Sequence, residues 1–199
     1  MSSLVSVTKL AREFHTPSPV VSEEKFYVPT DEYAKHVRDV LRDRFDSEFE
    51  IRTPLNPLFT PNFYGKSAIF PARKIAMVTF STSRTFCWQR FVLFKELAHH
   101  HLGEYQPNDR TADYMLQIAQ LSRNGFPNPE EEIDPELAGL CLAIEIALPW
   151  VLRGPLGDLR QEGKSSYQIA KEARVPQAII DLLYEENYAE LSAEANNAV

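Results

Sequence analysis

The sequence predicts an α+β domain, with a small mixed sheet packed on helices and a helical tail. A turn around Pro71 to Lys74 separates a short apolar piece from the β-prone run Ile75 to Phe80, which is typical of a small sheet. A long helical pattern then runs from Phe86 to about Leu102 and ends at Gly103. Because no repeat is visible and further helical patterns follow, we expect one main domain rather than an array.

Composition limits the possible classes of protein. With 199 residues and 44% hydrophobic content, the chain can bury one sizeable core. Its formal net charge of −7 disfavours nucleic acid as a general partner, whereas a protein partner remains compatible. No apolar run approaches the ~20 residues of a membrane span, and charges interrupt the N-terminal stretch where a signal peptide needs apolar residues. We therefore expect a cytoplasmic protein with reduced thiols at Cys87 and Cys141.

Three segments are expected along the chain. Residues 1–30 hold a possible short helix and a proline-rich run, and they predict an N-terminal arm rather than part of the core. Residues 31–155 form the main domain, and residues 156–199 form a helical C-terminal segment. The main domain opens with an amphipathic helix whose apolar stripe is Tyr33, Val37, Val40, Leu41 and Phe45.

Two further helices are predicted between the sheet and the tail. Residues 111–125 have a helical pattern closed by Asn124 and Gly125. In the next helix, Asp134 is the expected N-cap, Pro135 lies in the first turn and Pro149 ends the helix. That helix is apolar nearly all round, so we expect it to be central and buried.

The helix predicted from Phe86 to about Leu102 contains an incomplete zinc-peptidase motif, Lys95-Glu96-Leu97-Ala98-His99. A zinc peptidase of the HExxH type needs two histidines at i and i+4, which share one helical face, and a glutamate that acts as general base on metal-bound water. Here the glutamate and the second histidine are present. Lysine stands where the first histidine ligand is needed.

The surrounding segments resemble the ImmA/IrrE family of small bacterial and phage metallopeptidases. The similarity covers roughly residues 30–185 and rests on three segments: WQRFVLFKELAHHHLG, ELAGLCLAIEIALPW and YQIAKEARVPQAIIDLL. The resemblance implies a zincin-like metallopeptidase fold. It also implies a role in phage, mobile-element or stress regulation, since such enzymes typically cleave a helix-turn-helix repressor.

The resemblance assigns roles to individual residues. It places Glu96 at the general base, His99 at the second zinc ligand and Lys95 at the first. If the downstream helix is anchored on Pro149, the third ligand falls on Ala138. Glu136 can serve only if the register slips, and its alternative role is to stabilise the positive end of its own helix.

The lysine makes zinc binding doubtful. Lysine ligates a metal only when deprotonated, against a reference pKa of about 10.4, so loss of zinc is the simpler interpretation. An ion pair can replace the metal, with Lys95 bound to Glu96 or to Glu145, which is the one charge within the apolar helix. We expect His100 and His101 to lie on the surface, because successive helical residues point ~100° apart.

The tail has the spacing of a helix-turn-helix, with four expected packing positions: Ile169, Ala170, Val175 and Ile180. A DNA-reading helix needs basic or amide side chains, but the second helix offers only Gln177 among acidic residues. We therefore expect no nucleic-acid-binding residues, and assign the tail to packing or to a protein contact.

Two main hypotheses follow. In the first, the chain is a degenerate metallopeptidase-like protein, without zinc, that acts through a protein partner such as a helix-turn-helix repressor. In the second, it is an active zinc endopeptidase that cleaves such a repressor, with Glu96 as base and with His99 and Glu136 as ligands. A DNA-binding regulator that uses the tail is the third and weakest.

Overall fold

In the part of the chain that the structure describes, four short strands form a mixed sheet around its central strand, Ile75–Ser81 (β4). Glu50–Arg52 (β1) and Leu55–Asn56 (β2) pair in parallel with successive parts of one edge of β4. Gly65–Phe70 (β3) pairs antiparallel with the other edge, and a short 3₁₀ turn at Pro71–Arg73 connects it to β4. The predicted α+β class and small mixed sheet are confirmed.

The computed structural model describes residues 2–16, 26–56, 64–103, 118 and 128–198. Within these ranges eight α-helices follow the order α1 Leu4–His15, α2 Thr30–Phe45, α3 Phe86–Leu102, α4 Pro135–Ala147, α5 Trp150–Gln161, α6 Ser166–Ala173, α7 Gln177–Leu183 and α8 Glu186–Asn197. Of the helix predicted over residues 111–125, only Ile118 is among the described residues, where it is helical and buried.

Helix α3 is the centre of the structure. It packs against α4 on one side, α2 on another, and strands β3 and β4 on a third, so nearly every residue from Arg90 to His101 is buried. Helix α4 is buried from Ala138 to Ala147, as its uniformly apolar sequence predicts, and α1 covers its far side. Any polar side chain on these two helices therefore needs a partner inside the protein.

The N-terminal helix α1 belongs to the core, so the prediction of an arm is wrong for this segment. Its residues Leu4, Val7, Ala11 and Phe14 are all buried and pack with α4 and α8. Their spacing of three or four residues places them on one face of a helix. Ser3 caps the helix by accepting a hydrogen bond from the Ser6 backbone N–H. Residues 17–25, with most of the proline-rich run, lie outside the described residues.

The predicted end of α3 and the predicted start of α4 are both confirmed. Helix α3 ends at Gly103, whose φ of 87° is in the left-handed region that favours glycine. There the Arg44 guanidinium donates to the carbonyls of His100 and His101, at 3.1 and 2.9 Å, and stabilises the negative end of the helix. At the start of α4, Asp134 Oδ1 accepts from the Leu137 N–H at 3.0 Å.

The tail contains the two predicted helices on either side of Val175 and Pro176, which are α6 and α7. All four predicted packing residues are buried. Helix α5 was not predicted, since Gly154, Pro155 and Gly157 mask its pattern. Its buried stripe of Leu152, Leu156 and Leu159 has helical spacing and was the available signal.

Among the described helices, no single one is long and apolar enough to cross a membrane. Helices α4 and α5 together pass on length and composition alone, and they are bent by 70° relative to each other.

Candidate functional site

The incomplete motif lies at the contact between α3 and α4, where Lys95 meets His99 and Glu136. Lys95 Nζ is 2.5 Å from Glu136 Oε2 and 3.0 Å from His99 Nε2. Glu136 Oε2 and His99 Nε2 are 3.6 Å apart. The Lys95 side chain is only 1% exposed, whereas that of Glu136 retains 22% exposure. The three polar groups therefore form one largely buried cluster.

The geometry of the two helices explains why these residues meet. Lys95 and His99 are one turn apart on α3 and share a face. Glu136 lies in the first turn of α4, and Gly139 follows it by three residues on the same side. A Cβ atom at Gly139 would lie 2.7 Å from His99 Cε1, so glycine permits this close approach. Helix α4 thus meets His99 through Gly139, and the side chain that α4 contributes to the cluster is that of Glu136.

Hydrogen bonding in the cluster fixes the roles of its atoms. A lysine ammonium has three N–H donors and no acceptor, so Lys95 donates to the Glu136 carboxylate and to His99 Nε2. Burial alone would raise the pKa of Glu136, but the nearby His99 imidazole and the Lys95 charge outweigh burial and hold that pKa well below its usual range. The lone pairs of His99 Nε2 and Glu136 both point at an ammonium.

Glu96, the expected general base, is buried on the sheet side of α3. A Cβ atom at Gly65 in β3 would lie 3.2 Å from Glu96 Cγ, so the strand packs directly on this side chain. Glu96 is adjacent to Lys95 in sequence and therefore points ~100° away from it around the helix. Burial lowers the pKa of His100, which follows one turn later, and the Glu96 charge opposes that shift only in part.

Glu145 does not pair with Lys95, so that prediction is wrong. Its carboxylate is 2% exposed, and Oε1 accepts hydrogen bonds from Arg153 Nη2 at 2.6 Å, Tyr188 Oη at 2.9 Å and Ser192 Oγ at 3.1 Å. The reason is the register of α4. Glu145 is six residues beyond Gly139, which turns it about 120° away from the side that faces α3.

The partners of Glu145 were missed from the sequence. Arg153 lies on α5, while Tyr188 and Ser192 lie on α8, so the cluster joins three helices. A single carboxylate in an apolar helix signals that some cation must meet it. That signal does not say which basic residue, because several arginines and lysines follow in the sequence.

His100 and His101 are buried, at 1% and 4% exposure, so their prediction as surface residues is wrong. The cause is the close cover of α3 by α2 and the sheet. His101 Nδ1 lies 3.2 Å from the hydroxyl of Tyr33 on α2. Burial lowers the pKa of His100 to about 4 and that of His101 to about 3, so both are neutral near pH 7.

These two histidines predict acid sensitivity. Their folded-state pKa values lie below 6.5, the ordinary value for histidine, so the unfolded chain binds more protons than the folded chain as pH falls below 6.5. The stabilisation is complete above pH 6.5 and decreases towards pH 4, by up to about 1.4 kcal/mol per pH unit for each histidine. Urea unfolding at several pH values should show this slope, and His100→Leu should reduce it by one histidine's share. An unchanged slope in the variant would contradict the assignment.

The donor set differs from that of a zinc centre. Such a site needs three protein ligands and an open position, but the cluster presents two donor atoms and one ammonium. Among the residues that the structure describes, no group of three or more His, Cys, Asp or Glu side chains is arranged to hold a metal ion.

Comparison of the chain with protein-family models and with curated proteins found no match. The similarity to the ImmA/IrrE family therefore stays a prediction that rests on the motif segments. The geometry of Lys95, His99 and Glu136 does not depend on it.

Proposed function

We propose that this chain is a zincin-like protein of the ImmA/IrrE type in which the Lys95 ammonium takes the place of the catalytic zinc. One observation carries the proposal: Lys95 Nζ contacts His99 Nε2 and Glu136 Oε2 at the same time. A cation that links a histidine on α3 to an acid on α4 is the arrangement expected where a zinc ion once joined the two helices.

The substitution changes what the site can do. In a zinc peptidase the metal lowers the pKa of a bound water, and the glutamate base then acts on that water. An ammonium ion donates hydrogen bonds but is no Lewis acid, so Glu96 has no activated nucleophile to assist. We therefore propose that the protein binds its partner without cutting it.

The proposed partner is a protein, such as a helix-turn-helix repressor, in a phage, mobile-element or stress-regulation system of the cytoplasm. The similarity to the family supports this setting. The tail supports a protein rather than DNA, because Gln177 Nε2 donates to Asp181 Oδ2 at 3.3 Å. The one amide on α7 that was suited to reading a base is thus bound to an acidic neighbour.

An active zinc endopeptidase remains the alternative, and the position of Glu136 favours it. Glu136 lies 3.6 Å from His99, so a carboxylate is already placed beside the predicted zinc ligand. In this alternative Glu96 would be the base, and His99 and Glu136 would be the residues that hold the metal.

Lys95→His separates the two hypotheses. If the ammonium replaces zinc, the purified parent should contain well under one zinc per chain, and a chelator should leave its melting temperature unchanged. Lys95→His removes the ammonium and completes the motif, so it should gain zinc and become sensitive to the chelator. Elemental analysis and thermal unfolding give both results.

The matched control is Lys171→His, which makes the same substitution on the exposed side of α6 and should leave the zinc content unchanged. Stoichiometric zinc in the parent, lost together with stability on Glu136→Ala, would support the active enzyme instead. Failure of Lys95→His to take up zinc would contradict the zincin-like geometry.

A further inference from the structure

A cavity of about 360 Å³ lies at the opposite end of α3 from the His99 cluster, where the first turns of α3 meet the residues just before α2. Its apolar walls include Tyr27, Phe80, Phe86 and Leu93, and its charged groups include Arg90 and Arg174. The volume is in the range of small-molecule sites, which combine apolar walls with a few placed polar groups.

The two arginines bring positive charge into this cavity. Arg90 is only 6% exposed; it donates through Nη1 to the Arg174 carbonyl at 2.9 Å and through Nη2 to the Val28 carbonyl. Burial, reinforced by the nearby Arg174 charge, lowers the pKa of Arg90 to about 10. Within the described ranges, neither arginine forms an ion pair with a carboxylate, although Asp31 also lines the cavity.

Arg174 has a backbone conformation that is unfavourable for residues other than glycine. It ends α6 with φ of 55°, in the left-handed region that favours glycine. Its guanidinium lies over the Tyr27 ring, 3.6 Å from the ring centroid, and its carbonyl fixes Arg90. Glycine would be more favourable in this backbone conformation, so the helix end itself does not require an arginine here.

An exposed apolar side chain lies beside this charge. Phe86, in the first turn of α3, is 63% exposed and lines the same cavity as Phe80 and Leu93. An occupant that covers Phe86 would remove apolar surface from water. The cavity therefore combines two cationic groups with an apolar wall.

We propose that this cavity binds a small organic acid, with its carboxylate at Arg90 and Arg174 and its apolar body against Phe86, Phe80 and Leu93. Guanidinium groups bind carboxylates through charge-assisted hydrogen bonds, and planar stacking on Tyr27 keeps the Arg174 group oriented. A bound carboxylate would give these arginines the ion-pair partner that, among the described residues, neither of them has.

The test is calorimetric titration of the full chain with octanoate, with octanamide as the neutral equivalent and inorganic phosphate as the anion without an apolar body. Octanoate should bind at least about tenfold more tightly than either control, because only octanoate satisfies both halves of the cavity. Equal affinity for octanoate and octanamide, or no saturable octanoate binding up to about 10 mM, would overturn the proposal.

Arg174→Gly assigns the binding to this cavity. It keeps the carbonyl that Arg90 uses and relieves the left-handed backbone, so the melting temperature should stay equal or rise. Octanoate binding should weaken by about tenfold to a hundredfold. Lys171→Gln removes one positive charge from an exposed position on the same helix and should leave octanoate affinity within about twofold. Unchanged octanoate affinity in Arg174→Gly would show that the cavity is not the site.

Discussion

Replacing Lys95 with methionine is expected to lower the free energy of unfolding by about 3 kcal/mol. Methionine nearly preserves the volume of the side chain but removes the ammonium, so Glu136 loses its ion-pair partner at 2.5 Å and His99 Nε2 loses a donor. The value lies at the low end for a broken buried pair because the Glu136 side chain keeps 22% exposure and can recruit water. Equilibrium unfolding in urea measures the effect.

Lys171→Met is the matched control for this experiment. Lys171 is exposed on α6, so the same substitution there should change stability by no more than about 0.5 kcal/mol. If Lys95→Met proves as stable as the parent, the ammonium makes no net contribution to joining α3 and α4.

Replacing Arg153 with methionine is expected to cost about 3 to 5 kcal/mol, since it leaves the Glu145 charge buried without its cation. Glu145 is 2% exposed, and the remaining hydroxyl donors Tyr188 and Ser192 are both neutral at pH 7. Arg153 also contacts Ser192 Oγ at 2.8 Å, so its loss loosens the contact of α5 with α8. The same urea measurement applies.

The double variant Arg153→Met/Glu145→Gln should recover a large part of that loss, because the amide carries no charge. Arg160→Met, on the same helix, is the control. Arg160 is exposed, and its Cζ atom lies 4.2 Å from the centroid of the Tyr184 ring. Its loss should lower the free energy of unfolding by under about 1 kcal/mol. A double variant no more stable than Arg153→Met would show that the charge of Glu145 is not what Arg153 compensates.

Local signals predicted the elements that hold the site. Gly103 ends α3 and Asp134 caps α4, and each interacts with backbone groups only a few residues away in sequence. The turn predicted around Pro71 to Lys74 is also present, as the 3₁₀ turn Pro71–Arg73 between β3 and β4. Each of these features depends on near neighbours in sequence, which is why the sequence sufficed.

The register of α4 could not be predicted in this way. Its sequence is apolar on every side, so no stripe marks which face meets α3, and Ala138, Glu136 and Glu145 were all considered as residues facing α3. The contact of Gly139 with His99 settles the register, but it joins residues 40 positions apart. The placement of Glu145 likewise depends on Arg153 and Tyr188, which only the folded chain brings near.

The histidines next to the motif show a second limit. His100 and His101 are polar residues within a largely apolar helix, and a rule that places polar residues on the surface predicts that they are exposed. The sequence also gave no sign that α2 and the sheet would enclose α3, where Tyr33 meets His101. The packing of α2 and the sheet against α3, and not helical periodicity, determines that both histidines are buried.

A double-mutant cycle between Lys95 and Glu136 measures whether the ammonium couples α3 to α4. The free energies of unfolding are measured for the parent, Lys95→Met, Glu136→Gln and the double variant. If the ammonium joins α3 to α4 in place of a metal ion, the two substitutions should be coupled by about 2 to 3 kcal/mol, and the double variant should be more stable than Lys95→Met alone. Additive effects, with a coupling below about 0.5 kcal/mol, would contradict the claim.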